Sequence, residues 1–353
     1  MAPDADARRL RRGDPFAPLT SVMLPVGDGH EIHVETVGCA RGIPAVYLHG
    51  GPGSGCQPDH RRLFDPERFH TVLFDQRGAG RSRPKGGREA NTLAHLIADM
   101  ETIRDKFGFE KWLVVGGSWG ATLALAYAQA HPDRVSGIAL RATFLGTARE
   151  VETAFCETLP RFYPGLSQDF LGLLTDDERT QPMQTYWRRI LDPDPAVHGP
   201  AARAWHDTER ILSEHAPSRT RLDLAALNGN GALPSTPFME AHYFQNDSFM
   251  RPNQLLDNAA KLAGIPGIIV QGRYDLLCPP ATSQGLAARW SDAEIRIVEG
   301  AGHTLYDPGV RDAVMRSIAD LAAKIEGSAA LPRQSNDISP HPEEAANAAV
   351  SKD

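Results

Sequence analysis

Three short stretches of the chain are apolar almost without a break: Ala45-Val46-Tyr47-Leu48, Thr71-Val72-Leu73-Phe74 and Trp112-Leu113-Val114-Val115. A strand with one wet face alternates apolar and polar residues. These do not, so they suit a parallel sheet covered on both faces. Ahead of them, residues 21–26 and 31–36 flank Gly27-Asp28-Gly29 and predict a β-hairpin. Leu93, Leu96, Ile97, Met100, Ile103 and Phe107 recur at helical spacing, with Thr92 placed to cap that helix. A small-residue helix is expected over 121–130 and a further strand over 135–140. Strands and helices then alternate as in a doubly wound α/β sheet.

The pattern changes from about residue 146 to 262, where no clean strand appears. Trp187, Trp205, several prolines and runs such as 201–212 predict a mainly helical insertion lying over the strand ends. Strands resume at 267–271 and 294–298, and a closing helix is expected over 309–325, with Val310, Val314, Ile318 and Leu321 on one face. The organisation expected is a flexible lead at 1–17, a core at 18–145 and 263–326, a cap at 146–262, and a disordered tail at 327–353.

Composition narrows the class. The chain has 353 residues, 41% hydrophobic and 23% charged, as in a globular protein large enough for a core with an insertion. A formal net charge of −7 argues against nucleic acid as a partner. No run approaches the ~20 apolar residues of a membrane span, so no membrane partner is expected. Arg8, Arg9, Arg11 and Arg12 precede no apolar stretch and do not form a secretory signal. Cys39, Cys56, Cys156 and Cys278 are scattered, which predicts reduced thiols and a cytoplasmic location. The sequence leaves the oligomeric state open, a homo-oligomer included.

The candidate chemistry starts at Gly116-Gly117-Ser118-Trp119-Gly120, a G-x-S-x-G run between an apolar strand and a small-residue helix. The sharp turn lifts Ser118 off the sheet edge, and the following helix N-terminus points amides at whatever the serine attacks. The competing reading is a tight glycine turn with a capping serine. A serine hydroxyl needs a base, and the base an orienting carboxylate. Asp275, just past the strand ending at Gln271, and His303, just past the strand ending at Val298, follow in the order serine, acid, histidine. His49-Gly50-Gly51-Pro52-Gly53 sits where a second oxyanion donor is needed, so the Gly51 and Trp119 amides are the expected pair. One such donor is typically worth about 3 kcal/mol of transition-state stabilisation.

Together with Asp75-Gln76-Arg77-Gly78-Ala79-Gly80-Arg81-Ser82 and Gly300-Ala301-Gly302-His303, these runs resemble the prolyl aminopeptidases (proline iminopeptidases) of the α/β-hydrolase superfamily. The resemblance extends from about residue 18 to 326. It implies an α/β-hydrolase fold, a mostly parallel twisted sheet flanked by helices with a helical cap. It also implies release of N-terminal proline from peptides through an acyl-enzyme, with neither metal nor cofactor. It assigns Glu209 and Glu240 to the free imino group of that proline. An ammonium entering a partly dry pocket needs such anionic acceptors. The family's cap motif is commonly Trp-x-x-Trp-Glu; here it reads Trp205-His206-Asp207-Thr208-Glu209, without the second aromatic. An esterase, amidase or lactonase of the same fold, and a ligand-binding receptor that kept the fold, are the competing readings. Cys278, three residues past Asp275, is expected to let bulky thiol reagents crowd the site without itself taking part in catalysis.

Overall fold

The computed structural model describes residues 14–229 and 231–330. The apolar runs become one eight-stranded sheet in the order β1-β2-β4-β3-β5-β6-β7-β8. The strands are β1 (Thr20–Pro25), β2 (Glu31–Gly38), β3 (Ile43–Leu48), β4 (Phe69–Phe74), β5 (Trp112–Ser118), β6 (Val135–Thr143), β7 (Gly267–Gly272) and β8 (Ala293–Val298). β1 and β2 form the expected antiparallel hairpin, β2 pairs antiparallel with β4, and the pairings from β4 through β3 to β8 are parallel.

Unbroken apolar runs arise because successive side chains enter different cores. Val46, Leu48, Val72, Phe74 and Val114 belong to one buried cluster, whereas Ala45, Tyr47, Leu73, Leu113 and Val115 belong to another across the sheet. The first core is completed by helices α1 (Leu93–Lys106) and α2 (Trp119–Ala130). The second core takes Val310, Val314, Ile318 and Leu321 from the last helix. Thr92 stands at the α1 N-cap, but its hydroxyl bonds the His95 ring at 2.8 Å and leaves the backbone uncapped. The adjacent histidine nitrogen outcompetes the orphan amides that the sequence assigned to it.

Between β6 and β7 the described residues contain only helices and turns. The main helices are α3 (Ala148–Glu152), continued by a wide turn over Thr153–Thr158, then α4 (Pro164–Gly172), α5 (Pro182–Ile190), α6 (Pro195–Ser213) and α7 (Thr236–Phe244). Aromatic faces hold them together. Phe170 stacks on Tyr186 at 4.0 Å and Phe155 on Trp205 at 4.4 Å. This insert is fastened to the core through Asn91: Tyr243 donates to its Oδ1 at 2.7 Å, and its own amide donates to the carbonyls of Arg77 and Gly87. Arg77 is itself held by both oxygens of buried Asp99 at 2.8 Å.

α8 (Pro280–Ala287) follows β7, and α9 (Val310–Ala330) closes the chain. α9 continues past the expected helix end at residue 325, so 327–330 are helical rather than part of a tail. Of the expected lead, residues 14–17 form a turn closed by the Ala17 amide on the Asp14 carbonyl. Residues 1–13 and 331–353 lie outside the described residues. No helix among the described residues is long and apolar enough to cross a membrane. The four cysteines are all unpaired.

Candidate active site

The turn from β5 into α2 holds Ser118 at φ 56°, ψ −124°, a left-handed conformation costly for a side chain. Two glycines permit it. A Cβ on Gly116 would sit 2.3 Å from the Gly120 carbonyl oxygen, and one on Gly120 would sit 2.2 Å from the Leu48 carbonyl oxygen. The elbow is therefore pressed against the end of β3, and no side chain fits between them. Arg141 of β6 runs alongside Gly117 and donates to the His303 carbonyl, tying the histidine loop to the elbow.

The loop after β3 reaches the serine through a buried polar chain. The Gln76 amide donates to His49 Nε2 at 3.0 Å, so that nitrogen is an acceptor and Nδ1 carries the proton to the Gly50 carbonyl. The Gln76 side chain donates to the His49 carbonyl at 3.0 Å and accepts from the Trp119 indole at 2.9 Å. Burial lowers the His49 pKa, consistent with this neutral ring. A Cβ on Gly50 would lie 3.6 Å from Ser118 Cβ, and Gly51 takes φ +106°. Both expected oxyanion residues thus flank the serine, Trp119 as the first residue of α2 and Gly51 across from it in a shared cavity. The role of Gln76 as the brace between them was not legible in the sequence. It lies in a motif after β4, and only the fold shows what its amide spans.

Asp275 and His303 meet as the order of the chain predicted. His303 Nδ1 lies 2.9 Å from Asp275 Oδ2 and 3.1 Å from Oδ1. The carboxylate is buried and also accepts the Leu277 and Cys278 amides. Since it accepts, Nδ1 donates, and Nε2 is the ring nitrogen left as acceptor. His303 and Ser118 line one cavity of about 430 Å³.

Glu209 of α6 and Glu240 of α7 line the same cavity. Glu240 is almost fully buried; its Oε2 accepts the Trp205 indole at 2.5 Å, while Oε1 has no partner. Burial pushes the Glu240 carboxyl well up, and the neighbouring Glu209 pushes it further. Burial also raises Glu209, against the opposing pull of His303. A buried carboxyl with an orphaned oxygen, beside a second, half-buried carboxyl, is stabilised by an incoming cation.

Next to it a recess of about 40 Å³ is walled by Phe144, Ala154, Phe155, Trp205, Phe244 and Cys278, with Ser118 and Glu209 at its rim. Cys278 is buried and its thiol pKa is raised by that burial. Thr208, where the second aromatic of the cap motif was missing, is fully buried with its hydroxyl unpartnered. Glu150 is a site residue the sequence reading missed. It lines this recess, accepts the Leu145 and Thr147 amides at 3.0 Å, and fixes the turn after Phe144. The Thr147-x-x-Glu150 capping box is the signal that could have found it.

The chain is similar to known proteins over most of its length. A family model described as alpha/beta hydrolase fold matches residues 44–310. The chain is 40% identical over 308 residues to a proline iminopeptidase of Neisseria meningitidis serogroup A, covering 86% of this chain and 96% of that one. It is 40% identical over 298 residues to one from Arabidopsis thaliana, covering 84% of this chain and 78% of that one. The crystal structure of a proline iminopeptidase from Mycobacterium smegmatis superposes with a TM-score of 0.58 over 88% of this chain and 100% of that one; at 18% identity this likeness speaks to the fold alone. The chain belongs to the proline iminopeptidase family of α/β hydrolases.

Proposed function

We propose that the protein is a serine exopeptidase that releases N-terminal proline from peptides. The observation that carries this reading is the pair of carboxyls, buried Glu240 and half-buried Glu209, facing the same cavity as Ser118 and His303. The identity to proline iminopeptidases of about this length supports it. The carboxylates hold the cationic proline nitrogen, and the aromatic-walled recess takes the ring. His303 Nε2 removes the Ser118 proton as Oγ attacks the prolyl carbonyl. The Gly51 and Trp119 amides receive the oxyanion. Protonated His303 then gives its proton to the departing amine, and water, activated by the same ring, frees proline from the acyl-enzyme. Asp275 fixes the tautomer and stabilises the imidazolium.

In this reading the catalytic core is 18–145 with 263–326, and 146–262 is a cap that supplies the carboxylates. The four unpaired cysteines support a cytoplasmic setting. Glu240→Gln and Glu209→Gln test the role of the pair. Each should raise KM for a prolyl amide by at least about tenfold, the scale of a charge-assisted contact. KM for a neutral ester should move far less. Equal effects on both substrates would remove the pair from cation binding.

A further inference from the structure

A short free peptide is charged at both ends, with a cation in front and a carboxylate behind. Glu209 and Glu240 answer the first charge. The same cavity also carries an answer to the second. α6 presents His206, Glu209, Arg210 and Ser213 to it, a stripe at helical spacing. From Glu209 to Ser213 that stripe advances about 6 Å along the helix axis. Its far end rests on the histidine loop, where the Ser213 carbonyl accepts the His303 and Thr304 amides at 3.0 and 3.1 Å. His303 has to reach the leaving nitrogen, so the groups gathered at its loop border the departing half of the substrate. Arg210, Thr304 and Tyr306 are among them, and Tyr306 is 65% exposed at the rim.

Arg210 is the cation there with donors to spare. Its Nη1 meets Glu214 at 2.9 Å, and among the described residues no other side-chain or backbone acceptor meets the guanidinium. Arg210 and Glu214 are 36% and 31% exposed, so this ion pair sits at the water's edge and is readily shared. Arg141, the other arginine of the cavity, is engaged by the His303 carbonyl beneath the elbow. His60 and His206 also line the cavity, but burial holds both towards the neutral form, His60 down to about 4.

We propose that Arg210 binds the C-terminal carboxylate of short peptide substrates, with Tyr306 as the wall of that subsite. The inference rests on the proline-exopeptidase reading above. It makes free di- and tripeptides the favoured class. Each added residue carries the carboxylate up to about 3.6 Å further away, and C-terminal amidation removes the charge.

The test compares kcat/KM for Pro-Phe and Pro-Phe amide, with a proline anilide measured beside them. The wild type should favour the free acid roughly tenfold, the low end for a charge-assisted contact. In Arg210→Gln the ratio should fall to within about twofold of unity, mainly through KM. Glu214→Gln, which frees the guanidinium, should raise the ratio, and it decides the matter if Arg210→Gln does not fold. A wild-type ratio near one, a tenfold preference that survives Arg210→Gln, or a ratio unmoved by Glu214→Gln would each overturn the subsite. Anilide turnover with a ratio near one sinks the subsite alone. No turnover of the anilide sinks the proline reading and the subsite with it.

Discussion

Ser118 carries the greatest local strain that the site needs, and its surroundings show why the strain persists. Its positive φ is enforced by glycine-to-backbone contacts on both sides rather than by its own bonds. Ser118→Ala should therefore leave the fold intact while lowering kcat by about four orders of magnitude or more. A retained rate on prolyl substrates would take Ser118 out of the mechanism. Glu240 makes a second prediction at this scale, with a definite sign. Its folded pKa is raised above the ordinary 4.5, so the folded state binds the proton more tightly than the unfolded chain does. The stability it contributes is whole below that value and is lost as pH rises through the raised one. Urea midpoints at pH 5 and pH 8 should show the wild type losing stability relative to Glu240→Gln, by an amount on the order of 1 kcal/mol. An unchanged difference between the two would mean that Glu240 is ionised in the free protein. The residues legible in the sequence were those with a fixed chain order or motif, namely Ser118, Asp275, His303 and Gly51. Gln76 and Arg141 were not, because each acts across elements that only the folded sheet brings together; Glu150 has a local capping-box signal, but only the fold places it in the wall of the recess.

At the scale of elements, the decisive contact is the crossing of the β5–α2 elbow over the end of β3. Gly120→Ala would place a methyl 2.2 Å from the Leu48 carbonyl oxygen, a backbone atom that cannot swing away. The cost expected is about 2–4 kcal/mol, read as a lower denaturant midpoint. A midpoint unchanged within error would show that the elbow has slack that the packing denies. The strands themselves were readable from their unbroken apolar runs, because both faces of the sheet are covered. The helix ends were read less well. Thr92 spends its hydroxyl on His95, and α9 runs to Ala330, where the local composition reads as tail. Nothing in periodicity reports either the histidine three residues along or the support a helix receives from its earlier turns. The pairing of Glu209 with Glu240 was likewise carried by family resemblance alone, since α6 and α7 meet through the Trp205 indole bond to Glu240 and the His198–Phe238 ring contact, which spacing does not encode.

For the whole molecule, the site exists only where the helical insert meets the sheet. Ser118 and His303 come from strand ends, Glu209 and Glu240 from the insert, and one cavity joins them. One fastening point is Asn91, which meets the Tyr243 hydroxyl of α7 and is braced by the Arg77–Asp99 pair. Both partners of that ion pair are buried, so Asp99→Ala leaves the guanidinium with only the exposed Asp28 carboxylate, at 3.3 Å, as counter-charge. It should cost about 3–5 kcal/mol in a thermal or urea melt. The smaller change Tyr243→Phe, which removes only the hydroxyl, should raise KM for prolyl substrates more than it lowers kcat. A loss confined to kcat would detach the fastening from substrate binding.

The most direct measurement is hydrolysis of a proline anilide beside its N-acetylated counterpart, with Ser118→Ala as the blank. Release from the free-imino substrate alone is the predicted result, because only that substrate brings a cation to Glu209 and Glu240. Equal cleavage of both, or cleavage of neither while simple esters turn over, would contradict the exopeptidase reading and leave an esterase or amidase on the same fold.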